Sequence, residues 1–195
     1  MDRRASVSRK TNETEISVCF DIDGSGNVDI STGIPFFDHM LTAFAIHGFF
    51  DLKINAVGDL DVDYHHTIED IGLVLGQALS KALENKKAIV RFGDFCVPMD
   101  EALSRVTIDV SNRPYLVYNF PRDLKVKGKF DAYLVKEFFQ AFCVQGALNL
   151  HINSYYGENE HHVLESIFKA LGKSLHMATR TNEKISNVLS SKGSL

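Results

Sequence analysis

The sequence predicts an α+β fold made of two similar halves, and three observations carry that expectation. His65-His66-Thr67-Ile68-Glu69 and His161-His162-Val163-Leu164-Glu165 spell nearly the same motif at an offset of 96, close to half of the 195 residues, which marks an internal duplication. Gly48 with Gly146, and Leu52-Lys53-Ile54-Asn55 with Leu150-His151-Ile152-Asn153, match at an offset of 98, so the second copy lacks two residues in one loop. Four helical stripes alternating with short strand-like stretches then call for helices packed on sheets.

Residues 13–23 alternate apolar and polar as a strand does, and Gly24-Ser25-Gly26-Asn27 reads as a hairpin turn into a short strand at 28–30. After the break at Gly33-Ile34-Pro35, residues Phe37, Met40, Leu41, Phe44 and Ala45 fall at helical spacing, and Gly48 signals the stop. A strand at 51–57, an acidic loop at 58–64 and a long helix at 65–83 complete the first half. Residues 86–98 are read as the connection. A strand at 102–110, the turn Asn112-Arg113-Pro114, a strand at 115–120, a helix at 131–144, a strand at 148–154 and a helix at 160–179 repeat the order. Each half thus reads strand, strand, helix, strand, helix. The expected boundaries are 1–90 and 91–180, fused as one catalytic unit, with a tail at 181–195.

Composition narrows the function classes. With 45% hydrophobic and 24% charged residues the chain has ample material for a core, and a net charge of −4 without basic runs gives no support to nucleic-acid or membrane-surface binding. Cys19, Cys96 and Cys143 form no Cys-x-x-Cys pair and fit a reducing cytoplasm. Met1-Asp2-Arg3-Arg4 lacks the apolar stretch of a secretory signal, and no run approaches the ~20 apolar residues of a membrane span. A soluble cytoplasmic protein acting on a small molecule is expected. No Gly-x-Gly-x-x-Gly or phosphate loop points to a nucleotide fold.

The duplicated motif carries the chemistry. Positions i and i+4 share a helix face, so His65 converges with Glu69, and His161 with Glu165. The second histidine of each pair is turned by about 100° and faces elsewhere, so one short motif offers ligands to two ions. Imidazole with carboxylate suits manganese, iron or zinc. A single His-His pair reads equally well as a solvated helix start; two in register, each with Glu at the same offset, favour metal. His39 aligns with Glu137 and His151 with Lys53, so these two histidines break the repeat and invite a functional explanation.

Six blocks in order extend the reading: Gly33-Ile34-Pro35-Phe36-Phe37-Asp38-His39-Met40-Leu41, His65-His66-Thr67-Ile68-Glu69-Asp70, Arg91-Phe92-Gly93-Asp94, Ser111-Asn112-Arg113-Pro114-Tyr115, Gly157-Glu158-Asn159-Glu160-His161-His162, and Ser190-Ser191-Lys192-Gly193. Along nearly its whole length the sequence resembles the imidazoleglycerol-phosphate dehydratases of histidine biosynthesis. That resemblance implies helices sandwiched between two four-stranded mixed sheets, two Mn(2+) ions per active site, and self-association into a 24-subunit shell with sites at subunit contacts. It places metal ligands at His39, His65, His66, Glu69, His151, His161, His162 and Glu165. One ion is expected on His65, Glu69, His151 and His162, the other on His66, His39, His161 and Glu165.

The resemblance also implies a phosphorylated imidazole substrate. Its contacts fall on Glu13, His39, His47, His65, Glu69, Arg91, Arg113, His161, Lys169, Ser190, Ser191 and Lys192, where Arg and Lys supply charge-assisted donors to phosphate. Neither the departing hydroxyl nor the lost proton of the glycerol chain is activated by a carbonyl, so the ring must do that work. A metal-bound imidazolate would expel the hydroxyl, and loss of a proton from the next carbon would give an enol that ketonises to imidazole acetol phosphate. Glu13 is the expected proton carrier, with His47 or a metal-bound water in reserve. His176 matches nothing and is read as a surface residue. The rivals are a two-metal hydrolase or phosphatase and a non-catalytic metal-binding shell protein; neither gives a reason for Arg91, Arg113 and the Ser-Ser-Lys tail.

Overall fold

The structure, a computed structural model, describes residues 3–120 and 130–195; residues 1, 2 and 121–129 lie outside it. In chain order the elements are β1 (Arg4–Lys10), β2 (Thr14–Asp21), β3 (Val28–Ser31), α1 (Pro35–Gly48), β4 (Asp51–Gly58), α2 (His65–Leu83), β5 (Phe92–Met99), β6 (Ala102–Asp109), β7 (Tyr115–Asn119), α3 (Ala132–Gly146), β8 (Asn149–Tyr156) and α4 (Glu160–Thr179). They build two four-stranded mixed sheets of the same order, β1-β2-β4-β3 and β5-β6-β8-β7. In each the last strand named pairs in parallel and the rest antiparallel. Helices α1 and α2 pack on the first sheet, α3 and α4 on the second, and the layers meet through α1 against α4 and α2 against α3. The expected α+β sandwich is present.

Each half holds one strand more than its hydrophobic pattern suggests. β1 and β5 are edge strands; β1 alternates in burial, but its inward positions are Ala5, Val7 and Arg9, and β5 buries only Gly93, so neither writes a strong apolar alternation into the sequence. The stretch read as a connection at 86–98 therefore becomes strand from Phe92 onward. Nor do β2 and β3 form a hairpin: β3 pairs with β4, Ile30 opposite Ile54. The intervening turn is instead folded onto Asp51, whose Oδ1 accepts the backbone N–H of Ser25 at 2.8 Å and of Asn27 at 2.9 Å.

Inward side chains of both sheets and the apolar stripes of all four helices form one core. At its centre Phe37 of α1 meets Phe138 of α3 with ring centroids 5.2 Å apart, and Phe138 stacks on Phe168 of α4 at 5.8 Å. This aromatic block fixes the starts of α1 and α4 side by side. Among the described residues no helix is long and apolar enough to cross a membrane.

Candidate metal and substrate site

α1 begins at Pro35, which is pre-set for the first helical turn and needs no hydrogen-bond partner there. Asp38 in that turn accepts the backbone N–H of Thr32 at 2.9 Å. α4 begins at Asn159, whose side chain caps the N–H of His161 at 3.0 Å. With both starts anchored, His39 on α1 meets His161 and Glu165 on α4. His39 Nε2 is 3.3 Å and His161 Nε2 3.1 Å from Glu165 Oε2, and one ligand atom from each residue lies within 4.8 Å of the others.

Glu165 is 8% exposed. Burial alone would push its carboxyl up, but Lys169, which donates to Oε1 at 2.7 Å, and His39 outweigh it and hold the group down at about 2. A permanent anion flanked by two imidazoles is a donor set that a first-row divalent cation fits. Two turns along α1, His47 is pushed below 6.5 by burial, helped by Lys169 and Lys173, and so is neutral at pH 7.

The other expected ligands occupy separate places. His65 and Glu69 pair at 3.6 Å on the first turns of α2. The rings of His65 and His66 stand nearly perpendicular, as do those of His161 and His162. His66 lies against Asp59 at 2.9 Å, with Glu13 at 4.0 Å, and His162 against Glu101 at 2.6 Å. His151 stands on β8, beside a cavity lined also by Phe92, Arg105, Thr107 and Asp109. Of the four residues expected on the second ion, three come together within the chain and His66 does not. Of the four expected on the first, only His65 and Glu69 do.

A cavity of about 400 Å³ gathers Arg91, Ser111, Arg113, Ser190, Ser191 and Lys192. Arg91 donates from Nε and Nη2 to the Asp109 carboxylate at 2.6 and 3.0 Å, and from Nη1 to the Leu189 carbonyl at 2.7 Å, which ties the tail to β6. Lys169 lies outside this cavity, with Glu165. Asp59, Glu101 and Asp109 escaped the sequence reading, since nothing in a lone carboxylate's surroundings in sequence reveals its partner. His176, expected at the surface, is half-buried against Phe49 and Phe50 at 5.4 and 6.4 Å between ring centroids; burial lowers its pKa.

Fold and site together define a duplicated sheet–helix–sheet protein with a histidine–carboxylate cluster suited to a divalent cation and a separate basic cradle suited to phosphate. Residues 32–175 match the family model described as imidazoleglycerol-phosphate dehydratase. The imidazoleglycerol-phosphate dehydratase of Syntrophobacter fumaroxidans is 54% identical over 193 residues, covering 99% of this chain and 98% of that protein. That of Acetivibrio thermocellus is 51% identical over the full length of both. Among solved structures, the Staphylococcus aureus enzyme superposes with a TM-score of 0.83 at 38% identity over 92% of this chain and 99% of that one. The Pyrococcus furiosus enzyme, solved in complex with (S)-C348, gives 0.84 at 38% over 97% and 100%.

The chain belongs to the imidazoleglycerol-phosphate dehydratase family. It is a carbon–oxygen lyase of histidine biosynthesis that removes water from imidazoleglycerol phosphate. The hydrolase and metal-storage alternatives gain no support.

Proposed function

We propose that each active site holds two manganese ions and is completed by neighbouring subunits of a 24-subunit shell. One separation carries this reading. Glu165 sits near the start of α4, whereas Arg91 donates its backbone N–H to Ala178 near the end of the same helix, at 2.7 Å. At 1.5 Å per residue those points lie on the order of 20 Å apart, too far for one small substrate to bridge the cluster and the cradle of a single chain. His151, on the second sheet, is likewise apart from both helix-start clusters, as expected of a ligand lent to another subunit.

Within that reading His39, His65, His66, Glu69, His151, His161, His162 and Glu165 are the ligands, and His39, His65, Glu69 and His161 border the substrate ring. The ions, when bound, favour the deprotonated imidazole and so ease loss of the hydroxyl. Arg91, Arg113, Ser190, Ser191 and Lys192 take the phosphate, Lys169 keeps Glu165 ionised, and Glu13 transfers the proton from the next carbon, with His47 as the neutral alternative base. The halves at 1–90 and 91–180 serve as scaffold and 181–195 as the substrate-binding segment. A cytoplasmic location accords with the free thiols Cys19, Cys96 and Cys143.

Subunit mixing tests the shared site. Glu165→Gln and Arg91→Ala should each abolish turnover alone. Dissociated and reassembled together, they should recover part of it, because some sites then join an intact cluster to an intact cradle. No recovery in assemblies shown by mass spectrometry to be mixed would sink the shared-site reading.

A further inference from the structure

The second histidines of the two motifs share a feature that the first ones lack. His66 and His162 each turn Nδ1 to a carboxylate, Asp59 Oδ2 at 2.9 Å and Glu101 Oε2 at 2.6 Å. His65 and His161 instead meet the glutamate of their own helix through Nε2. The duplication does not account for this. Asp59 follows β4, and the residue at the equivalent place in the second half, by the offset of 98, is Gly157. Glu101 lies in the turn between β5 and β6, and its equivalent in the first half is Arg3. The same contact has been built twice from unrelated positions, which points to a chemical demand on the two rings rather than to shared ancestry.

An ionised carboxylate only accepts, so the ring nitrogen facing it carries the proton. In a neutral ring the lone pair is then left on Nε2. At His162 the Asn159 side-chain amide, Nδ2, lies 3.4 Å from Nε2 and can only donate to it, while the Asp100 carboxylate on the same side stands at 3.8 Å, outside hydrogen-bond distance. Both residues are anchored, Glu101 through its carboxylate and Asp59 through its backbone. Glu101 accepts the backbone N–H groups of Glu158 and Asn159 through Oε1 at 3.2 and 2.8 Å, which fixes it to the start of α4. The Asp59 backbone N–H donates to the Glu13 carbonyl at 3.1 Å, and its carbonyl accepts Val62 N–H at 2.8 Å.

We propose that Asp59 and Glu101 are positioning residues that fix His66 and His162 in the Nδ1–H tautomer and present Nε2 as the metal-binding atom. The inference rests on the reading of His66 and His162 as manganese ligands. A histidine ligand whose other nitrogen donates to a carboxylate is oriented and made more basic, and loss of such a partner weakens metal binding by about ten- to a hundredfold.

The test uses the full-length assembled protein with ¹⁵N-labelled histidine. Solid-state ¹⁵N spectra are recorded at alkaline pH before metal is added, and manganese is then titrated calorimetrically. The His66 and His162 signals, assigned by loss in His66→Gln and His162→Gln, should report protonated Nδ1 and bare Nε2. Asp59→Ala and Glu101→Ala should each release the nearby ring to the other tautomer and raise the manganese Kd about ten- to a hundredfold. Asp59→Asn and Glu101→Gln keep an acceptor oxygen, the latter also for the Glu158 and Asn159 N–H groups, and should retain the tautomer with intermediate binding. A purely structural role would lower Tm in the alanine variants and leave the tautomers in place, overturning the proposal. So would unchanged manganese affinity in Asp59→Ala and Glu101→Ala alongside lost affinity in the two His→Gln variants. Full manganese binding by His66→Gln and His162→Gln would instead overturn the ligand reading beneath it.

Discussion

Gly172 of α4 lies so close to Phe44 of α1 that a Cβ on Gly172 would stand 2.3 Å from the Phe44 carbonyl oxygen and 2.9 Å from the Gly48 nitrogen. The contact recurs between the other two helices, where a Cβ on Gly76 would meet the Phe142 carbonyl oxygen at 2.7 Å and the Gly146 nitrogen at 2.9 Å. Both obstacles are backbone, which cannot rotate aside as a side chain can. The distance between α1 and α4, and with it the approach of His39 to Glu165, is therefore set by the absence of one methyl group.

Gly172→Ala should lower stability by about 1–3 kcal/mol, the cost of overpacking a dense interior, which for this length corresponds to roughly 2–12 °C in Tm. Because the strain lies between the helices that carry His39 and Glu165, metal affinity should fall too. A variant with wild-type Tm and manganese binding would show that the helices separate freely.

The acid behaviour of Glu165 follows from its neighbours. Its carboxyl is held at about 2 in the folded chain against an ordinary value of 4.5. A depressed folded pKa contributes stability that is complete above the unfolded value and disappears as pH falls through the folded one. Without metal, wild-type Tm should decline more steeply than that of Glu165→Gln between about pH 4.5 and 2. Parallel declines would show that Lys169 and His39 do not hold the anion.

Replacing either proposed ligand carboxylate gives a separate outcome near neutral pH. Glu69→Gln and Glu165→Gln each remove an anionic donor, so both variants should lose turnover and manganese while keeping the fold. Full metal content in either, read by elemental analysis after dialysis, would remove that residue from the ligand set.

The helices and inner strands were legible because burial there follows one period without interruption: α2 and α4 were bounded to the residue, and the offset of 98 located β4 and β8 from each other. β1 and β5 were not. The opposite edges, β3 and β7, carry apolar residues such as Ile30 and Leu116 and were read, whereas β1 and β5 bury only Val7 and Gly93, so their pairing is written in the sequence of their neighbours and not their own. The same limit applied to the site. His65-Glu69 and His161-Glu165 follow from helical geometry, while the meeting of His39 with Glu165 spans 126 positions and depends on how α1 and α4 pack. From the residues alone, His39 stood out as a departure from the repeat, and the Gly33–Leu41 block that carries the family resemblance then singled it out as a ligand. Asp59 and Glu101 also depart from the repeat, standing opposite Gly157 and Arg3, but a surface carboxylate is common enough that their importance appears only once each is seen against a histidine.

The tail offers the last test. The Arg91 side chain holds the Leu189 carbonyl at 2.7 Å, and the Ala88 N–H donates to the Asn187 carbonyl at 3.0 Å, so the chain is tied down as far as Leu189. Beyond it, Ser190, Ser191 and Lys192 line the cavity beside Arg113, and Lys192 makes no side-chain ion pair among the described residues. Its ammonium is thus available to an incoming phosphate. A hydrogen bond to a charged group is worth roughly 1.5–3 kcal/mol, so Lys192→Ala should raise KM about tenfold to a hundredfold, with Tm and manganese content unchanged. If these residues close over bound ligand, a protease should cut after Lys192 readily in the free enzyme and slowly once a phosphate-bearing analogue saturates it. Equal cleavage rates in both states, with wild-type kinetics in Lys192→Ala, would show that the segment neither closes nor grips the phosphate.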